Sequence, residues 1–134
     1  MYLLDTNVVS ELRRLRPHPA VVEWVKSAPE ASLRISAVTL GEIQGGIEIL
    51  RERDAAKADE IETWADKLEG AYAILPADAV VFRRHAKLMR SQPTPSYEDA
   101  LIAATAGVYD LTIATRNVTD FDGLGVRVFD PFGG

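Results

Sequence analysis

Met1-Tyr2-Leu3-Leu4-Asp5-Thr6-Asn7-Val8-Val9 opens the chain, and the fold is read outward from it. A short apolar run that stops at Asp-Thr-Asn has the form of a buried parallel strand running directly into a helix cap. Val8, Val9 and Leu12 continue at helical spacing to Arg13-Arg14, and Pro17 ends that helix. A second helix is predicted from Pro19, with Val21, Val22, Trp24 and Val25 on its apolar side. The strand-then-helix unit then recurs. Leu33–Ser36 reads as a second strand, and Leu40, Ile43, Ile47 and Leu50 form one helical face behind it. Arg51–Glu69 is densely charged but keeps Ile61, Trp64, Ala65 and Leu68 at helical spacing, which predicts an amphipathic helix.

The rhythm holds to the end of the chain. Ala73–Leu75 is a third strand, and Asp78 caps a helix carrying Val81, Phe82, His85 and Leu88. Gln92–Pro95 is a loop, and Ser96 opens a helix through Ala100, Ile102, Ala103 and Ala106. Leu111–Ala114 and Val126–Val128 are the fourth and fifth strands. Regular alternation of strands and helices predicts a single α/β domain over residues 1–134, a five-stranded parallel sheet with helices on both faces.

Composition sets the outer limits. The chain has 134 residues, 47% of them hydrophobic, which is enough for one real core. Cysteine is absent, so disulfides and thiolate metal sites are excluded, and a reducing cytoplasmic location is expected. No run approaches the roughly 18 apolar residues of a membrane span, and no basic-then-apolar leader precedes the first strand. A soluble, unprocessed protein without a membrane partner is expected. The net charge of −5 argues against coating nucleic acid by bulk electrostatics, although acidic metal ligands would themselves make the balance negative.

In an open parallel sheet, functional groups collect beyond the carboxyl ends of the strands. Asp5 stands there after strand one; Thr115-Arg116-Asn117 follows strand four, with Asp120 three residues on. Glu42 lies on the helix after strand two, and Asp99 in the first turn of the helix leading into strand four. If strands one and four are neighbours, these acids meet. At about 4 Å and an effective dielectric near 20, each like-charged pair would cost on the order of 4 kcal/mol. A hard divalent cation relieves that repulsion, and Mg²⁺ or Mn²⁺ suits oxygen ligands and retained water. Such an ion can polarise a phosphodiester and generate hydroxide, while an unligated carboxylate orients the attacking water.

Each acid also has a plainer role available. Asp5 can cap the first helix, and Ser96 with Asp99 can form a capping box. Glu42 can be a solvated helix residue, although it neighbours Gly41 and precedes Gly45-Gly46, where small residues would allow close approach. Asp120 can hold a turn with Asp122 and Gly123. Arg13, Arg14 and Arg116 are candidate contacts for phosphates. Arg83, Arg84, Lys87 and Arg90 form a second basic stretch with no acid between them, which by default is a solvated face.

Four blocks in order resemble the PIN-domain ribonucleases, specifically the VapC toxins of toxin–antitoxin pairs and their FitB-like branch. They are Leu4-Asp5-Thr6-Asn7-Val8, Ser36–Glu42, Asp99–Ala106 and Ala114–Phe121. The resemblance implies a toxic endoribonuclease dependent on Mg²⁺, with Mn²⁺ as a substitute. It implies a homodimer, with a VapB-like antitoxin whose C-terminal segment covers the active site. A dimer of toxin–antitoxin heterodimers would meet operator DNA only through the antitoxin. By position, Asp5, Glu42 and Asp99 match the three core acids. Asp5 and Asp99 would bind metal directly, and Glu42 through water. Asp120 would complete the acidic edge, with Asn117 an alternative for that fourth position. Thr6, Asn7, Thr115 and Asn117 would position water or phosphate.

A receiver-type phospho-acceptor domain shares the size and an acidic Mg²⁺ site. It would need an adjacent acidic pair after strand one and a Lys after strand five, where this chain has a lone Asp5 and Phe129-Asp130-Pro131. A dehalogenase-type phosphatase would need Asp-x-Asp-x-Thr in place of Asp5-Thr6-Asn7-Val8-Val9. A non-catalytic module with a disused site is the remaining alternative, and the intact acid set argues against it.

Overall fold

The computed structural model describes residues 1–133. Five parallel strands, β1 (Tyr2–Leu4), β2 (Leu33–Ser36), β3 (Ala73–Leu75), β4 (Thr112–Ala114) and β5 (Val128–Phe129), lie in the order β3-β2-β1-β4-β5. Six helices connect them: α1 (Thr6–Arg13), α2 (Pro19–Ser27), α3 (Ala37–Arg51), α4 (Ala55–Ala71), α5 (Ala79–Leu88) and α6 (Tyr97–Tyr109). The chain builds outward from β1 to β2 and β3, then crosses to the other side of β1 to lay down β4 and β5. The gap between β1 and β4 is therefore the topological switch point, where open α/β sheets place their ligands. A receiver domain would run in the order 2-1-3-4-5, so the strand order removes that rival.

Side chains alternate along β1 and sort the helices. Leu4, with Leu33, Ile35 and Ala114, faces a core made by Val8, Val9, Val21 and Leu68, so α1, α2 and α4 cover that face. Leu3 and Ile113 face the opposite core with Ile102, Ala103, Ala106, Phe121 and Leu124. α6 thus covers the second face, and α5 packs outside it through Val81 against Leu101 and Ala104. Among the described residues, no helix is long and apolar enough to cross a membrane.

Caps explain where the helices begin. Asp5, Ser36, Asp54, Asp78 and Ser96 each accept a hydrogen bond from a backbone N–H in the first turn of the helix they precede.

Four expectations need correction. The helix expected from Arg51 starts at Ala55, because α3 runs through Arg51 and the chain reverses there before the Asp54 cap. The fifth strand is Val128–Phe129 and not 126–128, since the register pairs Ile113 with Val128 and Ala114 with Phe129. Of the residues expected along the apolar side of α5, Val81 and His85 are buried but Phe82 is 42% exposed. Gly41, Gly45 and Gly46 are not close-approach sites, since a Cβ at any of them would meet open space.

Candidate active site

Register brings the first two groups together. Leu4 pairs with Ala114, so Asp5 and Thr115 emerge side by side from β1 and β4, and the Asp5 N–H donates to the Ala114 carbonyl at 2.9 Å. Thr115 is fully buried, and Asp5 is 8% exposed. The Thr115 hydroxyl donates to Oδ2 of Asp5 at 2.8 Å. It accepts from the Asn7 amide at 3.2 Å and from the Asn117 N–H at 3.0 Å, which uses its whole hydrogen-bonding capacity. Oδ1 of Asp5 accepts from the Thr6 N–H at 2.8 Å, and Asn7 also reaches Oδ2 at 3.3 Å. Asp5 is therefore both the cap of α1 and a carboxylate fixed in orientation at the switch point. The two readings of Asp5 coincide.

Asn7 ties the two strand ends together. Its Oδ1 accepts from the Arg116 N–H at 3.1 Å, which fixes the amide with Nδ2 turned towards Asp5 and Thr115. On the other side of Asp5, the Thr6 hydroxyl donates to Oε1 of Glu42 at 3.1 Å and lies 3.1 Å from the hydroxyl of buried Thr39. Thr39 and Glu42 are three residues apart on α3, so one helical face supplies both.

The remaining acids complete one edge. Asp99 stands in the first turn of α6, whose Ser96 cap accepts from the Asp99 N–H at 3.1 Å. Asp120 sits in a short 3-10 turn, Val118–Phe121, after β4. Burial pushes the carboxyl of Asp5 above its ordinary range; the Thr115 and Thr6 hydrogen bonds oppose the shift, and the charge of Asp120 adds to it. Partial burial raises Glu42, opposed by Thr6 and reinforced by Asp5, Glu98 and Asp99. Partial burial also raises Asp99, opposed by Ser96 and reinforced by Asp5, Asp120 and Glu98. Asp5, Glu42 and Asp99 each feel the charge of other acids at this edge, Asp120 acting on Asp5 and Asp99, and no cationic side chain figures among the groups that shift these three.

These residues fit a hard divalent ion of the Mg²⁺ class. The donors are all oxygens, the strongest is preoriented, and the excess negative charge is unneutralised. Among the described residues, no group of three or more His, Cys, Asp or Glu side chains is placed to hold a metal ion. Mg²⁺ does not need one, because it keeps several waters and takes one or two carboxylates.

The basic candidates divide. Arg13 lines a cleft of about 330 Å³ with Thr6, Ser10, Glu42 and Arg53, so it adjoins the acidic edge. Arg14 turns to buried Glu11 at 3.5 Å. The Arg116 backbone belongs to the site, but its guanidinium stacks over Phe132 at 4.0 Å. Sequence reading missed Thr39 and Glu98. Thr39 carried a signal in its i, i+3 spacing to Glu42; Glu98, next to Asp99, looked like ordinary first-turn acid.

Fold and edge together define a class: a parallel α/β domain with carboxylates converging at its switch point. The family model named PIN domain matches residues 2–124, and the chain belongs to that family. It is 32% identical to the VapC ribonuclease Y4jK of Sinorhizobium fredii over 98% of both chains. Among solved structures it resembles FitAcB from Neisseria gonorrhoeae, with 32% identity, full coverage of both chains and a TM-score of 0.84. A toxin–antitoxin complex from Klebsiella pneumoniae contains a chain 25% identical, covering 98% of each, with a TM-score of 0.76.

Proposed function

We propose that this chain is a toxin-type, metal-dependent endoribonuclease that folds as a single PIN domain, acts in the cytoplasm and is held in check by a VapB-like antitoxin. The observation that supports this most is the convergence of Asp5, Glu42, Asp99 and Asp120 on one edge, each of the first three raised in pKa by burial and by its neighbours' charge. A site that repels its own charges at rest is built for a cation. Kinship with a named ribonuclease and with a chain from a toxin–antitoxin complex points the same way.

In this reading Asp5 and Asp99 would hold Mg²⁺ or Mn²⁺, with Glu42 assisting through water. When bound, the ion supplies Lewis-acid activation of the phosphodiester and an acidified water. The chain's own residues do the rest. Thr115 and Asn7 hold the Asp5 carboxylate in one orientation. Thr6 presents Glu42, which accepts the proton of the attacking water. Asp120 completes the edge, and Asn117 positions water or phosphate beside it. Arg13, which lines the same cleft as Glu42, meets a phosphate of the RNA in this reading, with Arg14 and Arg116 contributing after rotation away from Glu11 and Phe132. The antitoxin covers the acidic edge with its C-terminal segment. Homodimers, alone or as a dimer of toxin–antitoxin heterodimers, reach operator DNA only through the antitoxin.

The test is cleavage of total RNA by purified, antitoxin-free protein. Mg²⁺-dependent cutting that EDTA abolishes, and that Asp5→Asn abolishes while keeping the cap, is the expected result. Undiminished cutting by Asp5→Asn would contradict the assignment.

A further inference from the structure

The basic stretch on α5 is not used by the acidic edge. Arg83, Arg84 and Lys87 line a cleft of about 520 Å³ between α5 and α6 together with the apolar Val80, Leu88 and Val108. The chain carries 20 acidic and 15 basic residues, so three cations around one cleft run against its own charge balance. Among the described residues, none of the three takes part in an ion pair. The acids at the nearby helix ends are engaged elsewhere, Asp78 with the Val81 N–H at 3.2 Å and Asp110 with Arg127 at 3.1 Å. Arg83 and Lys87 stand at i and i+4, where like charges repel.

Arg84 shows how the cleft is built. Its guanidinium lies against the backbone of α6 at Gly107, where an added Cβ would stand 2.5–2.8 Å from three guanidinium atoms. Of the chain's helical glycines, Gly107 is the one whose missing side chain makes room for a neighbour. A glycine there weakens α6, so it is the wrong residue for the helix and the right one for the cation. The negative end of the α6 dipole accounts for one cation at that turn. It does not account for Arg83 and Lys87.

We propose that the α5–α6 cleft is an exosite for the phosphate backbone of single-stranded RNA, binding the substrate away from the bond that is cut. This rests on the ribonuclease reading above. Unpaired cations beside apolar side chains suit phosphates with a base or ribose laid against Val80 and Val108. α6 links the two sites: Gly107 is eight residues from Asp99, about 12 Å along the helix axis. A strand of a few nucleotides spans that distance.

The experiment measures anisotropy of a labelled single-stranded RNA with the full chain in EDTA, and cleavage of a dinucleotide, too short to reach the cleft, with Mg²⁺. Two variants serve: Arg83→Gln/Arg84→Gln/Lys87→Gln, and Gly107→Ala, which keeps every charge but displaces the flexible guanidinium. The triple variant should bind about tenfold or more weakly, and its log–log salt dependence should flatten by about 2. Gly107→Ala should show a smaller loss in the same direction, without loss of thermal stability. Dinucleotide cleavage should be unchanged in both. Unaltered RNA affinity and salt slope would overturn the exosite, and so would a change confined to oligomeric state, which would mark the cleft as a protein interface. Wild-type protein that binds RNA through these cations but cuts nothing would sink the ribonuclease reading and leave the exosite standing.

Discussion

Replacing Thr115 by Val tests the site at its most connected atom. Shape is nearly kept, and what disappears is a buried hydroxyl with three partners. The bond to the Asp5 carboxylate is charge-assisted, about 2 kcal/mol, and the Asn117 N–H loses a neutral bond of about 1 kcal/mol. The Asn7 amide retains Asp5 Oδ2, so its loss adds little. The expected destabilisation is about 3 kcal/mol at pH 7, enough to lower Tm by roughly 10 °C in a domain of this size. The sign of the pH dependence is the sharper part. Thr115 opposes the upward shift of Asp5, so its removal raises that carboxyl further. A group with a raised folded pKa contributes stability that is present at low pH and lost as pH rises through that value. The variant therefore falls further behind wild type as pH increases, and the gap narrows in acid. Urea unfolding of both proteins in metal-free buffer from pH 4 to pH 8 measures it. A constant gap, or a gap below about 1 kcal/mol at neutral pH, would refute the network's assignment.

Three further outcomes follow from the same geometry. Asp5, Glu42 and Asp99 are all raised, so these three groups bind more protons in the metal-free native state than in the unfolded chain, and the stability they contribute should decline as pH climbs above about 4. Asp5→Asn should flatten that decline, and added Mg²⁺ should restore wild-type stability at neutral pH by binding only the folded form; thermal melts across pH read both. Gly45→Ala should stabilise α3 by about 0.5–1 kcal/mol without touching cleavage, since nothing lies within 4 Å of the new methyl. Leu3→Ala should cost about 2–5 kcal/mol in chemical unfolding, because Leu3 is fully buried at the centre of the second core.

Much of this protein was legible before any coordinates. The run Leu3-Leu4-Asp5 encodes a buried strand, a cap and a site acid at once, because a parallel strand ends where its helix begins. Glu42 and Asp99 could be nominated because each lies near the carboxyl end of a strand or the start of the helix that leads to one. What the sequence hid depends on pairing across long separations. Thr115 touches Asp5 because β4 pairs with β1, a contact spanning 110 residues, and no local pattern contains it. β5 slid by its register with β4, which local hydrophobicity does not specify. The glycines misled for a related reason: Gly45 and Gly46 look like close-approach sites in the string, yet the residue that needs to be small is Gly107, opposite Arg84 on another helix.

Mn²⁺ binding, followed by the loss of the free-ion EPR signal during titration, puts the cation site to the most direct test. Wild-type protein should take up the ion, and Asp5→Asn and Asp99→Asn should each bind it far more weakly while melting as cooperatively as wild type. Uptake undiminished in both variants would mean that these carboxylates gather for some purpose other than holding a metal.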